Sequence, residues 1–293
     1  MSSTGTGKHV DDDHATSPKA GKRTGKGLSM RRAASLLLID GHHLYYRVFH
    51  AVDQGRHAAH PAAVADAFAI TVKKALREFQ PSHLCLAFDH PTPSFRHALF
   101  PAYRAGRHRR TDAEQEHHDH SLAATVARTT AEGWPHGSLP GYEADDHIAS
   151  LTAEGVRHRC LVSVLSGDSD LLQLTALGAI LYRPGPNGPS RADAAWVRAN
   201  LGIEPDQLVD FKALTGDPSD RIPGLPGVGP KKAATLLAAH GSLETIYADL
   251  SRIPAPLAAA LRAHERQIRL NVQLVRLVAT LAVTPTLDEC ALH

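Results

Sequence analysis

The sequence predicts an α/β fold: a mostly parallel sheet flanked by helices, followed by a smaller helical region. Three observations carry this. Between Ala33 and Leu201, short apolar runs alternate with helical stretches, the pattern of a parallel sheet covered by helices. Several of these strand-like runs end in acid: SLLLID at Asp40, LCLAFD at Asp89, and LVSVLSGDSD with Asp168 and Asp170. From residue 202 onward the pattern is helical, with Pro and Gly punctuation at 216–230.

Taken in order, residues 1–32 are rich in Gly, Ser, Thr, Lys and Asp and nearly lack large apolar side chains, so a disordered basic tail is expected. Met30 is a candidate native start, and the tail lysines (Lys8, Lys19, Lys22, Lys26) read as solvated. Strands are expected at 35–40, 83–88, 161–165 and 179–182, and helices at 61–78, 121–132, 143–154 and 191–200. Residues 96–120 are polar and show no strong period; inside a compact domain such a segment is functional or mobile. The expected division is tail 1–32, core 33–201 and helical region 202–293.

The chain has 293 residues, 43% hydrophobic and only 5% aromatic, so a core rich in Leu, Ala and Val is expected. The net charge of +2 hides an asymmetry. If the clustered carboxylates are neutralised by metal, the remaining surface is basic and favours a polyanion. Cys85, Cys160 and Cys290 form no CxxC pair, so neither a disulfide frame nor a zinc site is indicated. No run approaches the ~18 apolar residues of a membrane helix. A cytoplasmic, nucleoid-associated monomer without membrane contact is expected.

The acidic residues are Asp40, Asp89, Glu143, Asp145, Asp146, Asp168, Asp170, Asp217 and Asp220. In open parallel sheets ligands bind beyond the carboxyl ends of the strands, so these residues should converge there. Carboxylates crowded in one cleft repel and protonate unless cations share it. Oxygen-only ligands select hard ions, so two Mg²⁺ or Mn²⁺ are expected. Such sites hydrolyse phosphoesters. GYEADD (141–146) puts Glu143 and Asp146 at i, i+3, on one face if a helix begins there. One acid near a helix start needs only the macrodipole as its reason; three in four residues need more. SGDSD (166–170) can turn two carboxylates into the cleft, although a turn and N-cap would use the same residue types.

GLPGVGPKK (224–232) leads into a helix, with Gly227 and Gly229 allowing close backbone approach and Pro230 at the first helical position. Lys231 and Lys232 follow on the first turn, a phosphate-binding arrangement. Residues 93–110 carry Arg96, Arg104, Arg107, Arg109 and Arg110 with Tyr103, suited to phosphates and to base stacking. Arg47, on the stretch after Asp40, joins Arg96, Gly227, Gly229, Lys231 and Lys232 as an expected DNA contact. EHHDH (116–120) reads as a solvated polar surface rather than a metal cluster, since ligand histidines need fixed geometry. Protonation of His117, His118 and His120 below about pH 6.5 is expected to tighten DNA binding.

These stretches, LLLIDGHHLYYRVFHA, LAFDHPTPSFRHALFPAYRAGR, GYEADD, LSGDSDLLQL and ALTGDPSDRIPGLPGVGPKKA, resemble the bacterial 5′–3′ exonuclease and flap endonuclease family. The same domain stands at the N-terminus of DNA polymerase I. The resemblance covers residues 34–290. It implies a PIN-like nuclease core, a helical arch over about 96–120 and a helix–three-turn–helix DNA-binding element. It implies a first metal site from Asp40, Asp89, Glu143 and Asp145, and a second from Asp146, Asp168, Asp170, Asp217 and Asp220. Tyr103, Arg104 and Arg107 match arch positions at the scissile phosphate, and Gly224, Leu225 and Val228 match carbonyls that hold K⁺. The implied reaction is metal-assisted hydrolysis of DNA at a 5′ flap, nick or 5′ end, giving 5′-phosphate and 3′-hydroxyl products, with a polymerase or ligase in the same pathway.

Two departures are visible. Arg104 stands where the family usually has Lys, and Ser169 where it often has Lys. Two other readings use the same residues: a catalytically weak DNA-structure-binding protein, and an RNase with the same metal site.

Overall fold

Six strands make one sheet: β1 (Ser35–Asp40), β2 (His83–Ala87), β3 (His136–Gly137), β4 (Leu161–Leu165), β5 (Ile180–Arg183) and β6 (Ser190–Ala192). Their order is β3-β2-β1-β4-β5-β6, and every pairing is parallel except β5 with β6. This computed structural model describes residues 34–53, 60–105, 110–185 and 188–292. The tail 1–32 with Met30, and Arg107 and Arg109, lie outside the described residues. Ala33–His293 forms one compact unit.

β1 shows why the sheet is two-faced. Its side chains alternate: Leu36 and Leu38 join a core with α5 (Ala144–Arg157), while Leu37 and Ile39 join one with α1 (Gly41–Asp53) and α2 (Pro61–Phe79). All four are essentially inaccessible to water. The turn from β1 into α1 needs Gly41: a Cβ there would sit 2.8 Å from the Phe88 ring and 2.9 Å from the Ala87 carbonyl oxygen. That close approach places α1 directly on the carboxyl edge of the sheet.

The strands expected at 35–40 and 161–165 form at those bounds, and 83–88 and 179–182 differ by one residue. Several elements escaped sequence reading, among them α1, the two-residue β3, and β6, which takes residues expected to start a helix. That helix, α6 (Ala194–Leu201), starts instead where Asp193 caps the Trp196 amide.

The segment 96–120 is helical at both ends. A short α3 (Phe95–Leu99) leads into it, and α4 (Asp112–Ala131) leaves it. α4 starts nine residues before the expected 121. The Thr111/Glu114 capping box fixes its start: the Thr111 amide donates to Glu114 and the Glu114 amide to Thr111 Oγ1. Its first turns dock on α1. The His118 ring lies 5.2 Å from those of Tyr45 and Tyr46, and His117 Nε2 lies 3.4 Å from Asp53 Oδ1. His117 and His118 are therefore packing residues, not a solvated pair. Burial depresses the His118 imidazole to about 4, so it stays neutral at pH 6.5 and cannot act as the expected pH sensor.

The C-terminal part contains α7 (Leu208–Thr215), a hairpin of β7 (Gly216–Asp217) and β8 (Ile222–Pro223), then α8 (Pro230–His240), α9 (Leu243–Ala248) and α10 (Ala255–Val275). Beyond α10 the chain runs, among the described residues, without further α-helix, with one 3-10 turn at Asp288–Cys290. It returns to the sheet, where the Leu292 amide donates to the Ser82 carbonyl and Ala291 bridges His83.

One buried ion pair ties these parts together. Arg96 is 2% exposed and Asp146 0%. The guanidinium grips Asp146 at 2.6 and 2.9 Å and also donates to the Leu274 and Arg276 carbonyls, while Asp146 accepts from the Val278 amide. The pair thus joins α3, α5 and the segment after α10. This corrects two expectations: Arg96 is not presented to DNA, and Asp146 faces the interior rather than the metals. The reason is helical geometry. Glu143 is the N-cap, outside the helix proper, so the i, i+3 face does not apply; its amide donates to Asp146 instead. Breaking a buried, hydrogen-bonded pair costs about 3–5 kcal/mol. Asp146→Ala should therefore lose that much stability in urea unfolding without divalent metal, and pairing Arg96→Met with Asp146→Leu should recover part of it.

Candidate metal centre

Because β1, β2 and β4 are parallel, their ends deliver acids to one edge of the sheet. Asp40 closes β1, Asp89 lies two residues beyond β2, and Asp168 three beyond β4. The N-cap and first turn of α5 add Glu143 and Asp145. Asp40, Asp89, Asp145 and Asp168 line a cavity of about 470 Å³, with Arg104, Arg110, His42, His43 and Tyr46 around it.

Asp40, Asp89 and Glu143 are held by named donors. Asp40 accepts from the His43 amide (2.8 Å) and Ser166 Oγ (2.7 Å), and Asp89 from the Ala144 amide (2.8 Å). Glu143 accepts from Ser94 Oγ (2.7 Å) and the Tyr103 hydroxyl (3.2 Å), and meets Arg104 at 3.3 Å. Burial, reinforced by the Asp89 and Asp168 carboxylates, pushes Asp40 up to about 7. Burial, then Asp168 and Asp40, raises Asp145 well above the carboxylate range. The site therefore stores protons where it lacks cations.

A second group lies beside Asp168. Asp170 and Asp217 converge on Lys212 of α7, a buried lysine. Its ammonium also donates to Ser169 Oγ at 3.0 Å. Burial, with Asp168 and Asp217 nearby, pushes Asp170 up to about 6, although Lys212 opposes this. Burial would raise Asp217 too, but hydrogen bonds from Ser219 and the charge of Lys212 outweigh it, and Asp217 is lowered. Asp220 is buried and bound to Arg104: Nε donates to Oδ1 at 3.2 Å, and the Arg104 amide to its carbonyl. It serves the arginine rather than facing the cavity.

Sequence reasoning missed Lys212. Its signal was there: a lone lysine on the apolar helix LVDFKALT, five residues before Asp217. It also missed Ser94 and Ser166, which orient Glu143 and Asp40.

The basic residues divide. Arg104 reaches the cavity from a strained backbone, φ +51°, that few non-glycine residues adopt. Tyr103 is 3% exposed and packs on Ile222, Leu274 and Val275, so it supports Glu143 and is not offered to a base. Arg107 lies outside the described residues. Arg47, exposed on α1, donates to the Pro184 carbonyl at 3.0 Å.

In the hairpin before α8, Leu225 and Val228 are buried. A Cβ on Gly224 would lie 2.3 Å from the Thr215 carbonyl oxygen, and Gly227 takes φ +76°. Gly229 has open space around it and serves as N-cap of α8. Lys231 and Lys232 are exposed, and Lys232 Nζ donates to the Gly227 carbonyl at 2.8 Å.

Comparison with known proteins decides the family. The 5′–3′ exonuclease N-terminal resolvase-like domain matches residues 35–202, and the 5′–3′ exonuclease C-terminal SAM fold matches 203–293. The chain belongs to the 5′–3′ exonuclease family. It is 36% identical to the thermostable DNA polymerase I of Thermus filiformis over 243 residues, which are 83% of this chain and 28% of that protein. It is 33% identical to DNA polymerase I of Mycobacterium tuberculosis over 268 residues, 90% of this chain and 29% of the relative. The chain thus spans under a third of the length of these relatives. The fold is also that of a T5 5′-exonuclease crystallised with zinc (TM-score 0.70, 20% identity, covering 83% of this chain and 90% of that one). The catalytic core of Rad2 in complex with DNA substrate is more distant (TM-score 0.53, 17% identity, covering 88% and 81%).

Among the described residues no three His, Cys, Asp or Glu side chains are already drawn into a ligand shell. The donor set nevertheless fits divalent metal: carboxylate oxygens dominate the cavity, and burial and one another's charge raise two of the carboxyls above the ordinary carboxylate range. Asp40, Asp89, Glu143 and Asp145 would hold one ion, and Asp168, Asp170 and Asp217 a second.

Two outcomes follow from these charges. Asp40 has a folded value above its ordinary one, so without metal its stabilising contribution is present at low pH and lost as pH rises through about 7. Metal must expel that proton. Calorimetric Mg²⁺ titration in buffers of different ionisation enthalpy should show proton release at pH 6 that becomes smaller as pH rises through about 7, where Asp40 ionises without metal. Lys212→Met should lower the metal-free melting temperature by at least ~5 °C, and Mg²⁺ should restore more stability than it adds to the unmodified protein.

Proposed function

We propose that this chain is a structure-selective, divalent-metal-dependent 5′ nuclease that cuts DNA at flaps, nicks and 5′ ends. The observation that carries the proposal is the convergence of Asp40, Asp89, Asp145 and Asp168 on one cavity at the carboxyl edge of the sheet with Arg104, which Glu143 binds. Residues 33–201 are assigned to the nuclease core and 202–293 to duplex binding. Bound Mg²⁺ or Mn²⁺ would supply a nucleophilic water near neutral pH and charge stabilisation for the leaving oxygen.

The chain's own residues do the rest. Arg104, fixed by Glu143 and Asp220, faces the cavity where a phosphodiester would develop charge. No protein nucleophile is required: water attacks phosphorus and the 3′-oxygen leaves with a proton, so the products carry 5′-phosphate and 3′-hydroxyl ends. The exposed Lys231 and Lys232 at the start of α8 contact duplex phosphates, and the carbonyls of Gly224, Leu225 and Val228 are assigned to K⁺. Binding through the backbone makes the enzyme indifferent to sequence and sensitive to salt. A polymerase or ligase acting on the nicked product is the expected partner in the pathway, and the chain acts as a monomer.

The test is cleavage of a 5′-labelled DNA flap with Mg²⁺ or Mn²⁺, beside an Asp168→Asn/Asp170→Asn double variant and a matched RNA flap. Metal-dependent cutting of DNA near the junction is expected. The variant should lose more than the ~10–100-fold that changes to the residues supporting a metal's ligands cost. Tight binding without cutting would replace the nuclease by a DNA-structure-binding protein, and preference for the RNA flap would make it an RNase.

A further inference from the structure

α10 carries a feature that the metal centre does not use. Ala258, Leu261, Ile268, Asn271, Leu274 and Val275 face the core. On the opposite side Arg262, Arg266, Arg269 and Gln273 follow at i, i+4, i+7 and i+11, one stripe along the helix. Arg262, Arg266 and Arg269 are exposed. All four line an open surface groove of about 1000 Å³ formed by α10 itself together with Leu99, the last residue of α3, which is 42% exposed. Glu265 is the one acid on it, already bound to Arg269 at 2.7 Å, and Arg269 also stacks 5.2 Å above the Tyr247 ring. A merely solvated helix face ordinarily mixes signs; this one is arginine-rich.

The groove begins close to the metal centre. Leu99 is five residues from Arg104, so their Cα atoms are at most about 18 Å apart. Arg262 to Gln273 spans about 16 Å of helix at 1.5 Å per residue. Arginines spaced along an edge match phosphates, while the exposed Leu99 and the half-buried Leu270 beside it offer apolar contact. A duplex presents only its phosphates to such a wall, whereas an unpaired strand also presents base faces.

We propose that this groove between α3 and α10 binds the single-stranded 5′ flap, holding it along α10 while its junction lies at the metals. The proposal rests on the nuclease reading above. It adds a second DNA-binding surface that sets the preference for flap length.

The test measures binding by fluorescence anisotropy in Ca²⁺, with flaps of no, one, four and fifteen unpaired nucleotides, for the unmodified chain and Arg262→Gln/Arg266→Gln. Arg269 is left in place because it packs on Tyr247. The variant should bind the fifteen-nucleotide flap about tenfold more weakly. Its salt dependence should be shallower by about 0.7 for each single-strand phosphate that is no longer neutralised. Binding of the nicked and one-nucleotide substrates, and cleavage of the latter, should not change. Arg262→Glu/Arg266→Glu should deepen the loss on long flaps only. An equal loss on all substrates would assign the groove to duplex and overturn the proposal, as would no loss on any. If the unmodified chain bound long flaps through these arginines yet cut none, the nuclease reading would fail and the groove would stand.

Discussion

Buried carboxyl groups that face one another cannot all be ionised without positive charge between them, and the candidate metal centre is arranged around this constraint. A parallel sheet brings Asp40, Asp89 and Asp168 to one edge by topology alone, and the start of α5 adds Glu143 and Asp145. The chain answers the repulsion in three ways. Asp40 and Asp145 hold protons, Arg104 covers Glu143 and Asp220, and Lys212 stands between Asp170 and Asp217. The protons and Lys212 are provisional counter-charges that a divalent ion could replace while Arg104 stays in place, so metal affinity, proton release and stability would be linked in one site.

The same constraint explains the scaffolding around the carboxylates. Groups that must stay close despite repulsion need fixed geometry, and here donors of modest size supply it: Ser166 and the His43 amide on Asp40, Ser94 and Tyr103 on Glu143. Arg104 accepts a left-handed backbone to reach its place. Further out, Arg96 and Asp146 lock α3 and α5 to the chain beyond α10, so the first residues of the 96–120 segment start from a rigid base.

Much of this was legible in the sequence because strand ends and their acids travel together. SLLLID, LCLAFD and LVSVLSGDSD announce both the sheet and the edge where chemistry collects. What was not legible depended on direction rather than presence. Asp145 and Asp146 are neighbours in sequence but about 100° apart around a helix, so one faces the cavity and the other the interior. Arg96 and Arg104 share one basic run, yet one is sealed beneath α10 and the other reaches the cleft. Lys212 was hidden for a different reason: a single lysine on an apolar helix reads as a snorkelling surface residue until its buried partners are known.

The most direct test of the central claim is anomalous diffraction from crystals soaked in Mn²⁺. Two peaks are predicted in the cleft. One lies among Asp40, Asp89, Glu143 and Asp145, the other beside Asp168 and Asp170 with the Lys212 ammonium displaced from Asp170. A cleft that binds no ion, or one whose Lys212 keeps both carboxylates while a single ion sits at Asp40, would contradict the account that these side chains stand in for metal.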